Sequence, residues 1–475
     1  MTARFLLQLL LRPFWKVRNI FHGFESGTLN LKPGTGLTVT FIAASITVAA
    51  PAYAFPPVER FVLPNKLKVI VAEEHSLPFA TLQLLVDSGS RKDPPGKEGL
   101  ARLTAQGLLL GTEKRTAEAI NRELDFLGAS LGAAAGPDYA VLSLRVLKKD
   151  LDRGFDLFMD VLTRPVFPAD EVGREVEKTL AAIQSEEDQP DMVAEKAFQK
   201  ELYLSGYGHP VEGTKESLPA VARGDVERFY RENYCPNNAI LVVAGDVTVA
   251  EVRASLVPLL DAWKAGDGVA VPFKSAFAEG PKTVKINRSI TQANIVIGHA
   301  GVSRDNPDYY AVVLMNYILG GGGFSSRLFD EIRVKRGLAY SVGSFFDARR
   351  YPGSFQVSIQ TKNSSAREAI RIVLDQMKLI QASPVKVKEL DGAKKYLTGS
   401  FPMRMDTQAK LAGFLAQVEY FGLGLDYPSK YPSLILAVAR EKIQDVAKRY
   451  LYPDKCIVVI VADLKEAGLD APGLP

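Results

Sequence analysis

The same succession of segments occurs twice along this chain of 475 residues. Two strand candidates, 67–72 and 81–87, lead into the turn Ser88-Gly89-Ser90-Arg91-Lys92-Asp93-Pro94, and two more, 284–286 and 293–299, lead into Gly301-Val302-Ser303-Arg304-Asp305-Asn306-Pro307. A helix-length apolar segment follows each turn, at 100–110 and at 309–319. The two halves also end alike. Tyr234-Cys235-Pro236-Asn237-Asn238 precedes the apolar run 239–244 and Gly245-Asp246, while Tyr452-Pro453-Asp454-Lys455 precedes the run 456–461 and Ala462-Asp463. A period near 200 residues fixes a duplicated unit more firmly than length alone could.

Within each unit, short apolar runs alternate with amphipathic stretches of helical period, at 117–127, 170–187 and 365–381. Turn-rich strand pairs such as 130–144 indicate antiparallel pairing. The expected class is α+β: two similar domains, each a mostly antiparallel sheet covered by helices. The expected division is an N-terminal domain over 55–265, a linker over 266–283, a C-terminal domain over 284–463 and a tail over 464–475. The linker rests on a Gly-, Ala-, Pro- and Lys-rich composition without helical period.

Charge is informative once it is located. The chain has 58 Lys and Arg against 54 Asp and Glu, a net charge of +4. Residues 1–54 contain Arg4, Arg12, Lys16, Arg18 and Lys32 against Glu25, which accounts for the whole excess. The remainder is neutral and gives no reason to expect nucleic acid or an anionic membrane as partner. The uncharged apolar run 37–50 ends in Ala52-Tyr53-Ala54, and with the basic region before it reads as a secretory signal peptide over 1–54. It is short of the about 20 residues a spanning helix needs. The expected location is periplasmic, or the inner membrane facing the periplasm if the signal stays uncleaved. Cys235 and Cys456, the only two cysteines, fall in apolar runs of different halves and are expected to be buried free thiols.

Three local patterns bear on chemistry. Gly128-Ala129-Ser130-Leu131-Gly132 has the G-x-S-x-G form, but a helix precedes it and a strand follows, the reverse of a nucleophile elbow. Gly128 reads instead as a helix-terminating glycine. Gly320-Gly321-Gly322-Gly323 lacks the Lys-Ser/Thr of a phosphate loop. It reads as a turn whose backbone approaches something closely, ahead of a helix capped by Ser325 or Ser326. Beyond residue 54 the histidines are His75, His209 and His299, none spaced with a second ligand as catalytic zinc requires.

Taken together, several motifs resemble the pitrilysin and mitochondrial processing peptidase family, the zinc proteases with an inverted motif. The carriers are Gly99-Leu100-Ala101 through Gly111-Thr112, Tyr207-Gly208-His209-Pro210 with Gly213-Thr214, and Asn233-Tyr234 with Pro236. In the second half they are Leu319 to Gly323, Ser326-Arg327-Leu328-Phe329 and Arg336-Gly337-Leu338-Ala339-Tyr340-Ser341. The resemblance runs from about residue 58 to 463. Active members carry H-x-x-E-H after Gly-Leu-Ala; the matching positions here are Arg102, Leu103, Thr104, Ala105 and Gln106. The family's third ligand, a Glu on a later helix, falls where this chain has Ala181-Ala182. The resemblance therefore implies a chain with no metal or cofactor of its own, and zinc in a homologous zinc-binding partner subunit.

The second half keeps another feature of the family. The helix expected over 326–336 ends at Arg336, Gly337 breaks it, and Tyr340 opens the next strand candidate, 340–346. In two-subunit members, the resemblance implies, a zinc-free chain supplies this Arg/Tyr pair to its partner's active site. Arg offers donors to a peptide carbonyl and Tyr can donate to an oxyanion. Taken without the family, the pair is a solvated helix-end arginine and a packed strand tyrosine. The expected function is that of a non-catalytic subunit of a heteromeric peptidase, with Gly320 to Gly323 on the substrate side and unfolded peptide as substrate. The alternative is a structural or peptide-binding protein built on the same fold.

Overall fold

The computed structural model describes residues 55–266 and 273–469. The expected signal peptide lies outside the described residues. In the first repeat the strands are β1 (Val58–Val62), β2 (Lys68–Glu73), β3 (Phe79–Val86), β4 (Ser130–Ala135), β5 (Ala140–Leu147), β6 (Tyr203–Ser205) and β7 (Ala239–Gly245). After it come β8 (Ala276–Phe277), β9 (Lys282–Asn287), β10 (Gln292–Ala300), β11 (Ala339–Phe346), β12 (Ser354–Lys362) and β13 (Ile457–Ala462).

Two sheets carry the duplication. The first is ordered β1-β2-β7-β3-β5-β4 and the second β11-β12-β10-β13-β9. Read in the same direction, β2-β7-β3-β5-β4 and β9-β13-β10-β12-β11 are one topology. Each has a single parallel pair, β2 with β7 and β9 with β13, and antiparallel neighbours otherwise. The extra strand β1 was not read from the sequence. Its residues are mostly exposed at a sheet edge, so it lacks the apolar run that marks the others. β7 and β13 are buried throughout, which explains their continuous apolar runs: strands covered on both faces do not alternate.

What covers them is exchanged between the repeats. Helix Gln408–Tyr420 of the second repeat lies on β3 and β7 of the first sheet, over Ile70, Ala72, Leu85, Ile240, Val242 and Ala244. Helix Pro190–Leu202 of the first repeat lies on β10 and β13, with Ala194, Phe198 and Leu202 against Val296, Val459 and Val461. At Gly298 the backbone must be bare, because a Cβ there would stand 2.6 Å from the Phe198 ring and 2.1 Å from the Phe355 carbonyl. The described residues accordingly form one compact unit. Polar ties reinforce the exchange. Arg60 of β1 donates twice to Glu419, at 2.9 and 2.8 Å. Buried Asp138 accepts from the Tyr207 hydroxyl and from the Arg350 amide, the latter at 3.0 Å.

The described parts of the linker and tail carry strand pairing and core burial that composition does not suggest. β9 begins inside the expected linker, and β8 within it pairs with β6. Phe273 packs between Tyr207 and Tyr351, with ring centroids 4.8 and 4.7 Å away, so aromatic burial overrides a glycine- and proline-rich composition. In the tail, Ala467 and Leu469 are buried in the core. Cys235 and Cys456 are free and buried. Gly128 ends helix Ala117–Leu127 with φ +58° and Ser130 opens β4, so the G-x-S-x-G pattern is a helix-to-strand turn, as its context predicts.

Candidate functional site

Helix Leu100–Gly107 carries Arg102 to Gln106, the positions that the resemblance matches to the zinc motif. Its start is fixed by the Asp93 carboxylate, which accepts from the amides of Gly99 and Ala101 at 2.8 and 2.7 Å. Burial pushes the Asp93 carboxyl up to about 7, against the pull of those two donors. Arg102 is half-buried and has no hydrogen bond or ion pair among the described residues, and Ala105 is buried. Gln106 turns its side-chain oxygen into a buried position where no described group donates to it. The neighbouring helix Ala169–Glu186 packs against this one and presents Ala182 to solvent.

These residues do not fit a zinc ion. Zinc at a catalytic site takes three protein ligands drawn from imidazole, thiolate and carboxylate. The positions here offer one neutral amide oxygen, two methyl groups and a guanidinium. The histidines are elsewhere. His75 contacts Asp246 at 2.7 Å, His209 contacts the Pro210 carbonyl at 3.2 Å, and His299 is buried between the Ala300 carbonyl and the Tyr452 amide, at 2.8 and 3.1 Å. Burial drives the His299 imidazole down to about 4. Among the described residues no group of three or more His, Cys, Asp or Glu is placed to hold a metal ion.

The second repeat builds a different surface. Helix Tyr309–Asn316 continues into a wide π-helical turn, Tyr317–Gly321, and helix Arg327–Phe329 continues into another, Asp330–Val334. Wide turns of this kind are uncommon and collect at functional sites. The glycine quartet starts inside the first of them, at Gly320 and Gly321, and close packing requires its first three glycines, whereas Gly323 has open space around it and φ +54°. A Cβ on Gly320 would stand 2.4 Å from the Ser344 hydroxyl and 2.8 Å from Leu328, and one on Gly322 would stand 2.6 Å from the Tyr317 carbonyl. Asn316 locks the same contact by donating to the Ser344 carbonyl at 3.1 Å and accepting from its hydroxyl at 2.8 Å. Ser326 caps the following helix, accepting from the Phe329 amide. Gly320 to Gly322 thus form a tightly packed turn against Asn316, Tyr317 and Ser344 of β11.

Around it lies an exposed aromatic surface. Phe324 is 81% exposed and Tyr340 is 75% exposed. The guanidinium between them belongs to Arg333, which stands 4.5 Å from the Tyr340 ring, 5.0 Å from Phe329 and 5.9 Å from Phe324. Arg336 is placed otherwise: it donates to the Glu331 carbonyl at 2.8 Å and pairs with the Glu331 carboxylate. Lys335 and Arg336 hold that carboxylate below its ordinary range, so the pair is charged at neutral pH. The structure thus puts Arg336 and Tyr340 on the same exposed corner, where Gly337 ends the helical segment with φ +62°, but pairs neither with the other. Arg333 was missed by sequence reasoning. The available signal was Phe329 four residues earlier, a spacing that brings two side chains together on a helix. Beside Tyr340 a cleft of about 310 Å³ opens between Asp191 and Glu195 of the exchanged helix and Asn294, Ser341, Ser358 and Gln360 of the second sheet.

The fold defines a two-repeat peptidase scaffold, and the motif positions on it carry no metal-ligating side chain. Residues 68–215 match the family described as insulinase (peptidase family M16), and residues 220–397 match the peptidase M16 inactive domain. The chain belongs to peptidase family M16. An uncharacterized zinc protease of Streptomyces coelicolor is 29% identical over 80% of this chain and 84% of its own length. A protein of Helicobacter pylori named non-peptidase homolog YmxG is 26% identical over 84% of this chain and 93% of its own. Among solved structures, a peptidase M16 inactive domain from Pseudomonas fluorescens superposes with a TM-score of 0.80 at 29% identity, covering 86% of this chain and 98% of that one.

Proposed function

We propose that this chain is the zinc-free subunit of a heteromeric metallopeptidase exported to the periplasm. A homologous partner with an intact H-x-x-E-H motif supplies the zinc and the general base. This chain supplies chamber wall, a binding surface for unfolded peptide and the residues of the Tyr340 corner. The observation that carries this reading is a contrast within one molecule. The motif helix has lost every ligand, whereas the corner of the second repeat keeps Tyr340 and Phe324 exposed over a rigid glycine turn. Exposed aromatic surface rimmed by charge is what a peptide or a partner covers. Unfolded peptide suits the cleft beside Tyr340, where extended chain can run along sheet strands.

A second reading, a peptide-binding protein with no part in proteolysis, is favoured by one observation: Arg336 is turned onto Glu331 rather than outward. The two readings separate in one experiment. The purified chain is assayed on an unstructured peptide alone and with the H-x-x-E-H homologue from the same source, and its zinc is measured by elemental analysis. The subunit reading expects far less than one zinc per chain, no cleavage alone, and faster cleavage by the homologue when this chain is present. Equimolar zinc with chelator-sensitive cleavage by the lone chain overturns both readings. Unchanged cleavage by the homologue overturns the first.

A further inference from the structure

A second cavity, of about 410 Å³, lies against helix Gln408–Tyr420, away from the Tyr340 corner in the chain and lined by none of its residues. Three cations line it, Arg304, Arg404 and Lys410, and no carboxylate is among its described lining residues. Asp406 pairs with Lys410 at 2.7 Å. The two arginines have no carboxylate partner among the described residues. Arg304 is 9% exposed, so its charge is taken out of water. Its guanidinium is held by aromatic groups alone: it lies 3.9 Å from the Tyr309 ring and donates to the Tyr427 hydroxyl at 3.0 Å. Buried charges are ordinarily paired, because desolvating an unpaired ion is costly. A buried arginine whose neighbours are tyrosines, opening on a cavity with a second unpaired arginine, is prepared for an anion that arrives from outside.

The rest of the lining indicates what carries that anion. Phe414, Val418 and Phe421 give the cavity an apolar wall, so the ligand combines a small anionic group with an apolar body. We infer that this cavity binds the C-terminal carboxylate of a peptide together with its last, apolar side chain. The Arg304 and Arg404 forks take the carboxylate and the Phe414 and Phe421 rings take the side chain. The inference rests on the reading of this chain as a peptide-binding scaffold, and it adds an anchor for one chain end, separate from the Tyr340 corner.

The test uses the full chain without a partner, so its outcome is independent of whether a catalytic partner exists. An N-acetylated tripeptide ending in phenylalanine, too short to run along a sheet edge as well, is titrated as the free acid and as the C-terminal amide by isothermal calorimetry. The free acid is expected to bind at least tenfold more tightly than the amide. Arg404→Ala, an exposed change that removes no internal hydrogen bond, is expected to abolish the difference, and Arg304→Met to do the same. Acid and amide binding equally, or no saturable binding of the acid at millimolar concentration, overturns the inference. Displacement of the acid by inorganic phosphate at lower concentration than by N-acetyl-phenylalanine also overturns it, by assigning the arginines to a phosphate group.

Discussion

Arg333 stacks on Tyr340 and also donates to that residue's own carbonyl, at 2.6 Å, so one guanidinium fixes both the ring and the start of β11. The phenol is thereby held outward on a fixed strand while Arg336, three residues further along the helical segment, is engaged by Glu331. This arrangement orders the two residues differently: Tyr340 is preset, whereas Arg336 must leave an ion pair before it can touch anything else.

Kinetics of the reconstituted complex test that difference. Tyr340→Phe keeps the ring and its stacking and removes one hydroxyl. If the phenol donates to the developing oxyanion, turnover falls about 10²-fold, as for a lost oxyanion donor. Arg336→Ala raises KM with little change in kcat if its guanidinium binds a carbonyl equally in ground and transition states. Glu331→Gln, which removes the charge of that ion pair and leaves the carbonyl contact, loosens Arg336 and lowers KM. Co-purification shows that each variant still assembles. Unchanged kcat and KM in all three would make this corner part of the scaffold only.

The exchanged helices predict that the repeats do not fold alone. A chain of residues 55–265 leaves Ile70, Val242 and Ala244 without helix Gln408–Tyr420, and leaves Phe198 without its sheet. Expressed separately it should be insoluble or lack a cooperative thermal transition, and co-expression with residues 273–475 should restore a soluble 1:1 unit. A monomeric 55–265 fragment that melts cooperatively would count against the exchange as a determinant of stability.

His299 predicts acid sensitivity. Its imidazole titrates near 4 in the fold because burial disfavours the cation, against about 6.5 in an unfolded chain. The folded state therefore binds the proton less readily. The stabilisation this provides is full above pH 6.5 and is lost as pH falls through 4, amounting to about 3 kcal/mol. His299→Gln, which does not titrate, should lower stability at pH 7 and flatten the fall between pH 6.5 and 4, as read by urea denaturation. An unchanged slope would show that other groups dominate this range.

For export, the sequence Ala52-Tyr53-Ala54 predicts that the mature chain begins at Phe55. Intact-mass measurement on protein from its native source checks this. A mass that retains residues 37–54 would place the chain on the membrane.

The sequence by itself determined the duplication, the strand runs, the helix ends at Gly128 and Gly337, and the lack of a metal-ligating side chain at Arg102, Ala105, Gln106 and Ala182. Each of these is carried by residue identity or by local periodicity. The burial of β7 and β13 was also legible, since their unbroken apolar runs require cover on both faces. Which helix supplies that cover was not legible. Ala194 and Phe198 form an apolar stripe that would suit either sheet, and only the spatial arrangement assigns them to β10, about 100 residues on, and to β13, about 260 residues on. The partner of Tyr340 was decided in the same way. Arg333 and Arg336 both lie within one helical segment of it, and the wide turn Asp330–Val334 determines which of them faces the ring. The four glycines signalled a close approach in the sequence, but Ser344, Leu328 and Tyr317, the groups that make it necessary, are brought there by strand β11 and the turns around it. Local patterns fix what each segment is, because propensity and burial act over a few residues. Which segments meet depends on packing between residues far apart in the chain, and no local pattern records it.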